Sequence, residues 1–440
     1  MKKILLWAMA ILYTAVGSLP ALAAMAPKRS VLENGLVLLT SEQRALPMVS
    51  IELLIDAGSR HEPPSQAGLA NLTARLLTYG TKKRSALQIS EALDFIGAGL
   101  SASAGADVAS ISMTLLKKDL ATGLELLADI LTSSSFPQAE IDRQKQAVIA
   151  SIRAAEENPG TVAGRTFSAA LFPGSPYGRP VEGAEASVKA LPQKSLRDFY
   201  SRHYRPNRAI LSVVGDVSER EIAEALTRAF REWRKGEPGA PFAPPSNIGG
   251  PQTLRVQRDL TQANIVLGHA GVPRSHPDYY AIQVMNYILG GGGFSSRAMD
   301  SIRNERGLAY SVYSFFGGEK SHGYFQFVMQ TRNETAQEAI RLALEEVRRM
   351  RDEPVTEQEL SDAKNYMTGS FPLRFDTNRR VASFLAQVEF FELGLDYPDR
   401  YGDFIGKVTA ADIQRVAKLY LQPDRILTVI VGNHKAIAVK

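Results

Sequence analysis

Apolar residues along this chain follow two periods. In the stretch GLANLTARLLTYGT (68–81), Leu69, Leu72, Leu76 and Leu77 fall at spacings of 0, 3, 7 and 8. That is one face of an amphipathic helix, with Ser65 placed to cap it and Gly80 to stop it. Elsewhere the apolar runs are short and β-branched. ILSVVG (210–215) and ILTVIVG (426–432) each follow a Pro-Asn-Arg or Pro-Asp-Arg turn and are expected to be buried strands. VSIELLIDAG (49–58) and ANIVLGHAG (263–271) are two more predicted strands, each opening a half of the chain and leading into a long helical stretch.

These elements repeat. YRPNRAILSVVGD (204–216) and YLQPDRILTVIVGN (420–433) share one plan, and Gly432 follows Gly215 by the same number of positions as Pro423 follows Pro206. An internal duplication accounts for that. Between the copies, RKGEPGAPFAPPSNIGGPQ (234–252) is rich in Pro and Gly, has no periodicity, and reads as a linker. The 440 residues exceed what one core supports, so two domains of about 200 residues are expected. Strands adjacent in sequence, mixed with helices in irregular order, predict an α+β fold with largely antiparallel sheets.

The first residues form a separate unit. Met1-Lys2-Lys3 is positive, Ile4 to Val16 is almost wholly apolar, and Ala21-Leu22-Ala23 is a small-x-small cleavage pattern. This is a secretory signal peptide over 1–23, the apolar run being shorter than the ~20 residues a spanning helix needs. The expected address is a bacterial periplasm. The formal charge of +5 includes Lys2 and Lys3, and no basic run points to nucleic acid. The chain has no cysteine, so it has neither a disulfide nor a lipidated thiol.

Two segments carry candidate chemistry. DAGSRHEPPSQAGLANLTARLLTYGT (56–81) resembles the start of the M16 (pitrilysin-like) zinc peptidases, whose helix carries H-x-x-E-H. Two His at i and i+4 lie one above the other and can grip a zinc ion, with the Glu between them as general base. The resemblance puts Asn71 and Arg75 where the two His belong and Ala74 where the Glu belongs; all three are lost. The family's third ligand, a Glu on a later helix, falls at Ala150 or Ser151, which cannot serve. Glu156 and Glu157 lie close by but read as solvated carboxylates at a helix end before Pro159. His61, His203, His269, His276, His322 and His434 form no i, i+4 pair, and Arg75 is a fixed cation that repels a divalent metal. No metal or other cofactor is expected in this chain.

LGGGGFSSRAMDSIRNERGLAYSVYSFF (289–316) differs in character: a glycine-rich turn, a helix capped by Ser295 or Ser296 and stopped at Gly307, then a strand. It closely resembles the M16 C-terminal-domain segment L-R-x-x-R-G-L-x-Y-x-V-x-S. In that family an Arg and a Tyr seven positions later point into the cleft; here they fall on Arg303 and Tyr310, both present. Peptide hydrolysis builds negative charge on the carbonyl oxygen, which a fixed phenol and guanidinium stabilise. Arg306 reads equally well as a helix C-terminal charge. Gly290 to Gly293 are not followed by Lys-Ser/Thr, which argues against a phosphate loop. They are read as letting backbone approach a partner or a peptide.

The resemblance covers essentially all of the chain after the signal peptide and implies the LuxS/MPP-like metallohydrolase fold, as an N-terminal M16-like domain over 24–233 and a C-terminal one over 253–440. Short-chain dimers of the family set the zinc-bearing N-terminal domain of one subunit opposite the C-terminal domain of the other. The resemblance therefore implies a non-catalytic subunit that pairs with a zinc-bearing M16 subunit, with zinc expected in that partner, and lends Arg303 and Tyr310 to peptide hydrolysis. Two alternatives are a purely structural or peptide-binding protein and a hydrolase with a non-zinc mechanism, though no Ser-His-Asp or Cys-His arrangement is legible.

Overall fold

The computed structural model describes residues 25–437, so the signal peptide expected over 1–23 lies outside the described residues. The first half builds a six-stranded sheet from β1 (Lys28–Val31), β2 (Val37–Glu42), β3 (Met48–Ile55), β4 (Gly99–Ala104), β5 (Ala109–Leu116) and β6 (Ala209–Gly215), in the order β1-β2-β6-β3-β5-β4. The second half builds a five-stranded sheet from β7 (Gln252–Gln257), β8 (Gln262–Gly271), β9 (Ala309–Gly318), β10 (Gly323–Arg332) and β11 (Leu427–Gly432), ordered β7-β11-β8-β10-β9. Apart from β1 the two orders coincide. Each sheet has one parallel pair, β2–β6 or β7–β11, and is otherwise antiparallel.

The duplicated motif forms β6 and β11, each central and almost wholly buried. The expectation that VSIELLIDAG and ANIVLGHAG open their halves is corrected: β1 and β2 precede the first and β7 precedes the second. β1 and β7 lie at sheet edges with mostly exposed side chains, so they lack the continuous apolar run that marks a buried strand. Residues 234–251 contain no helix or strand.

Five helices position the candidate segments and join the halves: α1 (Leu69–Leu76), α2 (Gln138–Glu157), α3 (Pro159–Leu171), α4 (Tyr279–Asn286) and α5 (Asn378–Phe390). Each sheet has a large apolar core on one face. The other face is covered by a helix from the opposite half. Phe167 and Leu171 of α3 lie on Val266 of β8 and on Val429 and Val431 of β11. Val381, Ala382 and Leu385 of α5 lie on Leu39 of β2 and Val214 of β6. The exchange explains why the central strands are apolar on both faces. Gly268 belongs to it: a Cβ there would sit 2.7 Å from Phe167 Cζ. Among the described residues no helix is long and apolar enough to cross a membrane.

Candidate functional site

α1 begins later than its sequence suggests. Ser65 lies in a 3-10 turn (Pro64–Gln66), and Gly68 is the N-cap, at φ 98°. The exposed first amides are instead held by Glu62, whose Oε2 accepts from Gly68 N at 3.1 Å and Oε1 from Ala70 N at 2.6 Å. A carboxylate reaching in from outside the helix does the work of a cap and complements the helix dipole. Burial nevertheless pushes the Glu62 carboxyl up to about 7 against the pull of these amides. α1 ends at Leu76, and Gly80 comes after a turn, at φ 138° in an isolated bridge to Ser85.

At the three positions that resemble a zinc site, the Asn71 Oδ1 is buried without a hydrogen-bond partner among the described residues, Ala74 is fully buried, and Arg75 Nε reaches Gln144 Oε1 on α2 at 3.4 Å. Ala150 and Ser151 are exposed on α2, as are Glu156 and Glu157 at its end. An amide, a methyl group and a guanidinium do not fit a divalent ion. Among the described residues no three His, Asp or Glu side chains gather where they could hold a metal.

His61 has another role. Its Nε2 lies 2.5 Å from Asp56 Oδ1, and the same carboxylate accepts from Arg60 Nη2 at 2.6 Å and Arg208 Nη2 at 2.7 Å. Burial works to raise the Asp56 carboxyl, but the His61 hydrogen bond and the charges of His61 and Arg60 hold it far below the usual range. The His61 ring packs 4.5 Å from the His203 ring. This network fixes the loop that feeds α1.

The second half is built differently. α4 runs on as a π-helical turn over Tyr287–Gly291, a 3-10 turn follows at Gly293–Ser295, and a second π-helical stretch covers Met299–Asn304. The regular helix expected here is thus irregular, and neither Ser295 nor Ser296 caps it: their hydroxyls donate back to Gly292 O and Gly293 O. The glycine reading is corrected too. A Cβ on Gly290 would sit 2.7 Å from Ser314 N, and one on Gly291 or Gly292 would collide with Asn286 or Tyr287. These glycines let the turn approach its own strand and helix. Asn286 locks the contact by donating Nδ2 to Ser314 O at 3.2 Å and accepting from Ser314 Oγ at 2.8 Å.

This packing presents Arg303 and Tyr310. Gly307, at φ 61°, turns the chain into β9, and its amide donates to Arg303 O at 2.9 Å. Arg303 lies half-buried between two rings, its guanidinium carbon 4.8 Å from the centroid of Phe294 and 5.0 Å from that of Tyr310. Nη1 also donates to Met299 Sδ at 3.8 Å. No carboxylate pairs with Arg303 and no group bonds the Tyr310 hydroxyl among the described residues, while Tyr310 is 80% and Phe294 72% exposed. The segment is tied down behind by Arg297, bidentate to Glu359 at 2.6 and 2.9 Å. Arg306 donates to Ser301 O at 2.8 Å, at the end of the π-helical stretch. A cation and a phenol side by side on an open surface can bind a carbonyl oxygen or a carboxylate. Sequence reasoning missed Phe294; an aromatic residue directly after four glycines was the available signal.

Comparison with known proteins places these features in a family. The model described as "Insulinase (Peptidase family M16)" matches residues 37–185, and that described as "Peptidase M16 inactive domain" matches 190–367. Relatives include a protein named an uncharacterized zinc protease from Streptomyces coelicolor, 28% identical over 412 residues that span 92% of this chain and 89% of the relative. Another of that name, from Rickettsia bellii, is 28% identical over 92% of this chain and 97% of its own. A crystal structure of a peptidase M16 inactive domain from Pseudomonas fluorescens superposes with a TM-score of 0.88 at 26% identity, covering 92% of this chain and 98% of that one. A protease from Helicobacter pylori shares the fold, with a TM-score of 0.83 at 22% identity over 94% and 100% of the two chains.

Proposed function

This chain belongs to the M16 peptidase family, and from that premise we propose that it is a non-catalytic subunit of a heteromeric M16 zinc peptidase. It is exported to the periplasm, pairs with a zinc-bearing M16 subunit, and lends Arg303 and Tyr310 to that subunit's cleft for peptide binding and transition-state stabilisation. The carrying observation is the contrast between its two candidate segments. α1 offers Asn71, Ala74 and Arg75 where a metal needs donors, while Arg303 is held between Phe294 and Tyr310 with no counter-ion among the described residues. A guanidinium kept half-buried without a carboxylate is suited to an anionic or partly anionic oxygen.

The chemistry asked of the pair is modest and specific. Arg303 and the Tyr310 hydroxyl donate to the carbonyl oxygen of the bound peptide, and their hydrogen bonds strengthen as charge gathers there. The zinc-bearing partner supplies the metal chemistry.

Purifying this chain with a zinc-bearing M16 partner and measuring peptide hydrolysis tests the proposal. The single chain is expected to be inactive. In the mixed complex, Arg303→Ala should lower kcat/KM by about 10²- to 10³-fold, the typical cost of one preorganised donor, and Tyr310→Phe should lower it in the same direction. Full activity of both variants would leave only a structural or peptide-binding role.

A further inference from the structure

A cavity of about 640 Å3 lies between the two halves, away from Arg303 and Tyr310. Its walls come from both sheets and from both exchanged helices. β3 and β5 contribute Glu52 and Ser110, α3 contributes Phe167, and α5 contributes Gln387 and Phe390. The second half adds Glu319, His322 and Tyr324. The volume lies within the range of small-molecule sites, roughly 300–1,000 Å3.

Its charge is one-sided. Three carboxylates line it, Glu52 and Asp107 from the first half and Glu319 from the second, against one cation, Arg179. Arg179 turns its Nη2 toward Glu62 O at 3.5 Å. Glu52 is only 6% exposed; Ser110 Oγ donates to its Oε1 at 2.7 Å, and Oε2 has no partner among the described residues. Asp107 accepts from Tyr177 OH at 2.9 Å, and among the described residues no side chain bonds the Glu319 carboxylate. His322, 7% exposed, packs its ring 4.0 Å from that of Tyr177 and meets Ser321 Oγ at 3.4 Å through Nδ1, which leaves Nε2 unpartnered among the described residues. Burial raises the Glu319 carboxyl, and the Asp107 charge across the interface raises it further. Buried carboxylates short of partners are costly, and a bound cation removes the cost.

The geometry points to a binding site for an organic cation, a guanidinium or primary ammonium on a short apolar stem such as the end of an arginine or lysine side chain. A single metal ion does not suit it, because these acids and His322 do not converge as a metal site. An elongated cation does: its stem lies along Phe167, Phe390 and Tyr324, its head reaches Asp107 on one wall and Glu319 on the other, and Glu52 adds negative charge to the same cavity. Such a ligand bridges the halves and stabilises their packing by mass action. The site shares no residue with the peptide-hydrolysis reading and stands independently of it.

Calorimetric titration of the full chain with N-acetyl-argininamide and its neutral isostere N-acetyl-citrullinamide tests this directly. The arginine compound is expected to bind at least about tenfold tighter, the discrimination that one charged hydrogen bond gives. Glu52→Gln and Glu319→Gln should each weaken it by a similar factor, about tenfold, while Arg303→Ala leaves it unchanged. Glu319→Gln, on the more open wall, settles the matter alone if the buried substitution does not fold. Spermidine binding that alone shows this dependence on Glu319 would support the cation site and identify a polyamine as its source. Equal binding of the two amides without Glu319-dependent binding of spermidine, no saturable binding of any cation, indifference of the bound cation to Glu319→Gln, or displacement of the ligand by stoichiometric zinc would each overturn the assignment.

Discussion

The two halves share a strand order and exchange equivalent helices, yet their candidate segments obey opposite rules. In the first half the segment is a regular helix, α1, whose amides are capped by Glu62 and whose apolar face joins the core. Nothing in that geometry depends on residues 71 and 75, so the groups that would make a metal site can be absent while the helix stands. In the second half the equivalent stretch is irregular, with two π-helical turns, three crowded glycines and a left-handed Gly307, all converging on Arg303 and Tyr310. Irregular backbone costs free energy and persists where its surroundings over-determine it. The comparison teaches that α1 stands without metal donors, at the cost of a buried Asn71 amide oxygen with no partner among the described residues, whereas the Arg303 arrangement needs its whole local architecture.

The largest effect expected on the shared scaffold comes from the exchanged helices. Phe167 of α3 is fully buried on the second sheet, and Leu385 of α5 is fully buried on the first. Phe167→Ala should cost about 3–5 kcal/mol and Leu385→Ala about 2–5 kcal/mol, read from urea midpoints. Because each helix belongs to one half and covers the other, either substitution should loosen both sheets together. Loss of amide protection confined to the half that carries the substitution would show that the exchange does not couple them.

Much of the fold is legible in the sequence because the exchange writes itself into it. Strands covered on both faces need apolar residues at nearly every position, and β6 and β11 show them apart from Ser212 and Thr428. The edge strands β1 and β7 lack that constraint and leave no comparable mark. α1 is legible from its leucines but not its cap, because Glu62 acts from outside the helix across a 3-10 turn. In the second half, Arg303 and Tyr310 are visible through a motif, and their spacing proves to be contact spacing. The π-helical turns are not visible, since the same residues suit a regular helix, and the glycines suggest an outside partner although their close contacts lie inside the chain.

Acid should separate the halves. Burial lowers His269 to about 4 and His322 to about 4 in the second half, and His203 to about 3 in the first. His269 is further committed to its neutral form, as Nε2 accepts from Gln422 N at 3.2 Å. A histidine whose folded pKa lies below its unfolded value near 6.5 contributes fully above pH 6.5 and loses that contribution as pH falls, because the unfolded chain binds the proton first. Glu62, raised to about 7, has the opposite sign: its contribution is complete below about 4.5 and lost as pH rises through 7. Between pH 7 and 5.5, therefore, His203 and Glu62 offset each other in the first half, while His269 and His322 add in the second. Asp107 and Glu319, both raised by burial, act with the sign of Glu62, one in each half. His269 and His322 together should cost the second half about 2–3 kcal/mol between pH 7 and 5.5, less the part that Glu319 returns. Hydrogen exchange should show β8 to β11 losing protection before β3 to β6, and the reverse order would contradict the assignment.

The smallest effect asks how much of the Arg303 geometry depends on Phe294. Phe294 and Tyr310 both lie against the guanidinium, and the Phe294 ring is otherwise exposed. A cation–π contact at such a site is worth about 0.5–1 kcal/mol, so Phe294→Ala should lower kcat/KM of the mixed complex by about 2- to 5-fold. Phe294 acts through Arg303, so removing it in an Arg303→Ala background should cost almost nothing more, since the two effects are not independent. Phe294→Tyr keeps a ring face over the cation and should restore activity, which a role in apolar packing alone would not require at so exposed a position. Additive losses in the double variant, or failure of Phe294→Tyr to rescue, would mean that Phe294 meets the peptide or the partner by itself, and the sandwich would then be incidental to how the guanidinium is aimed.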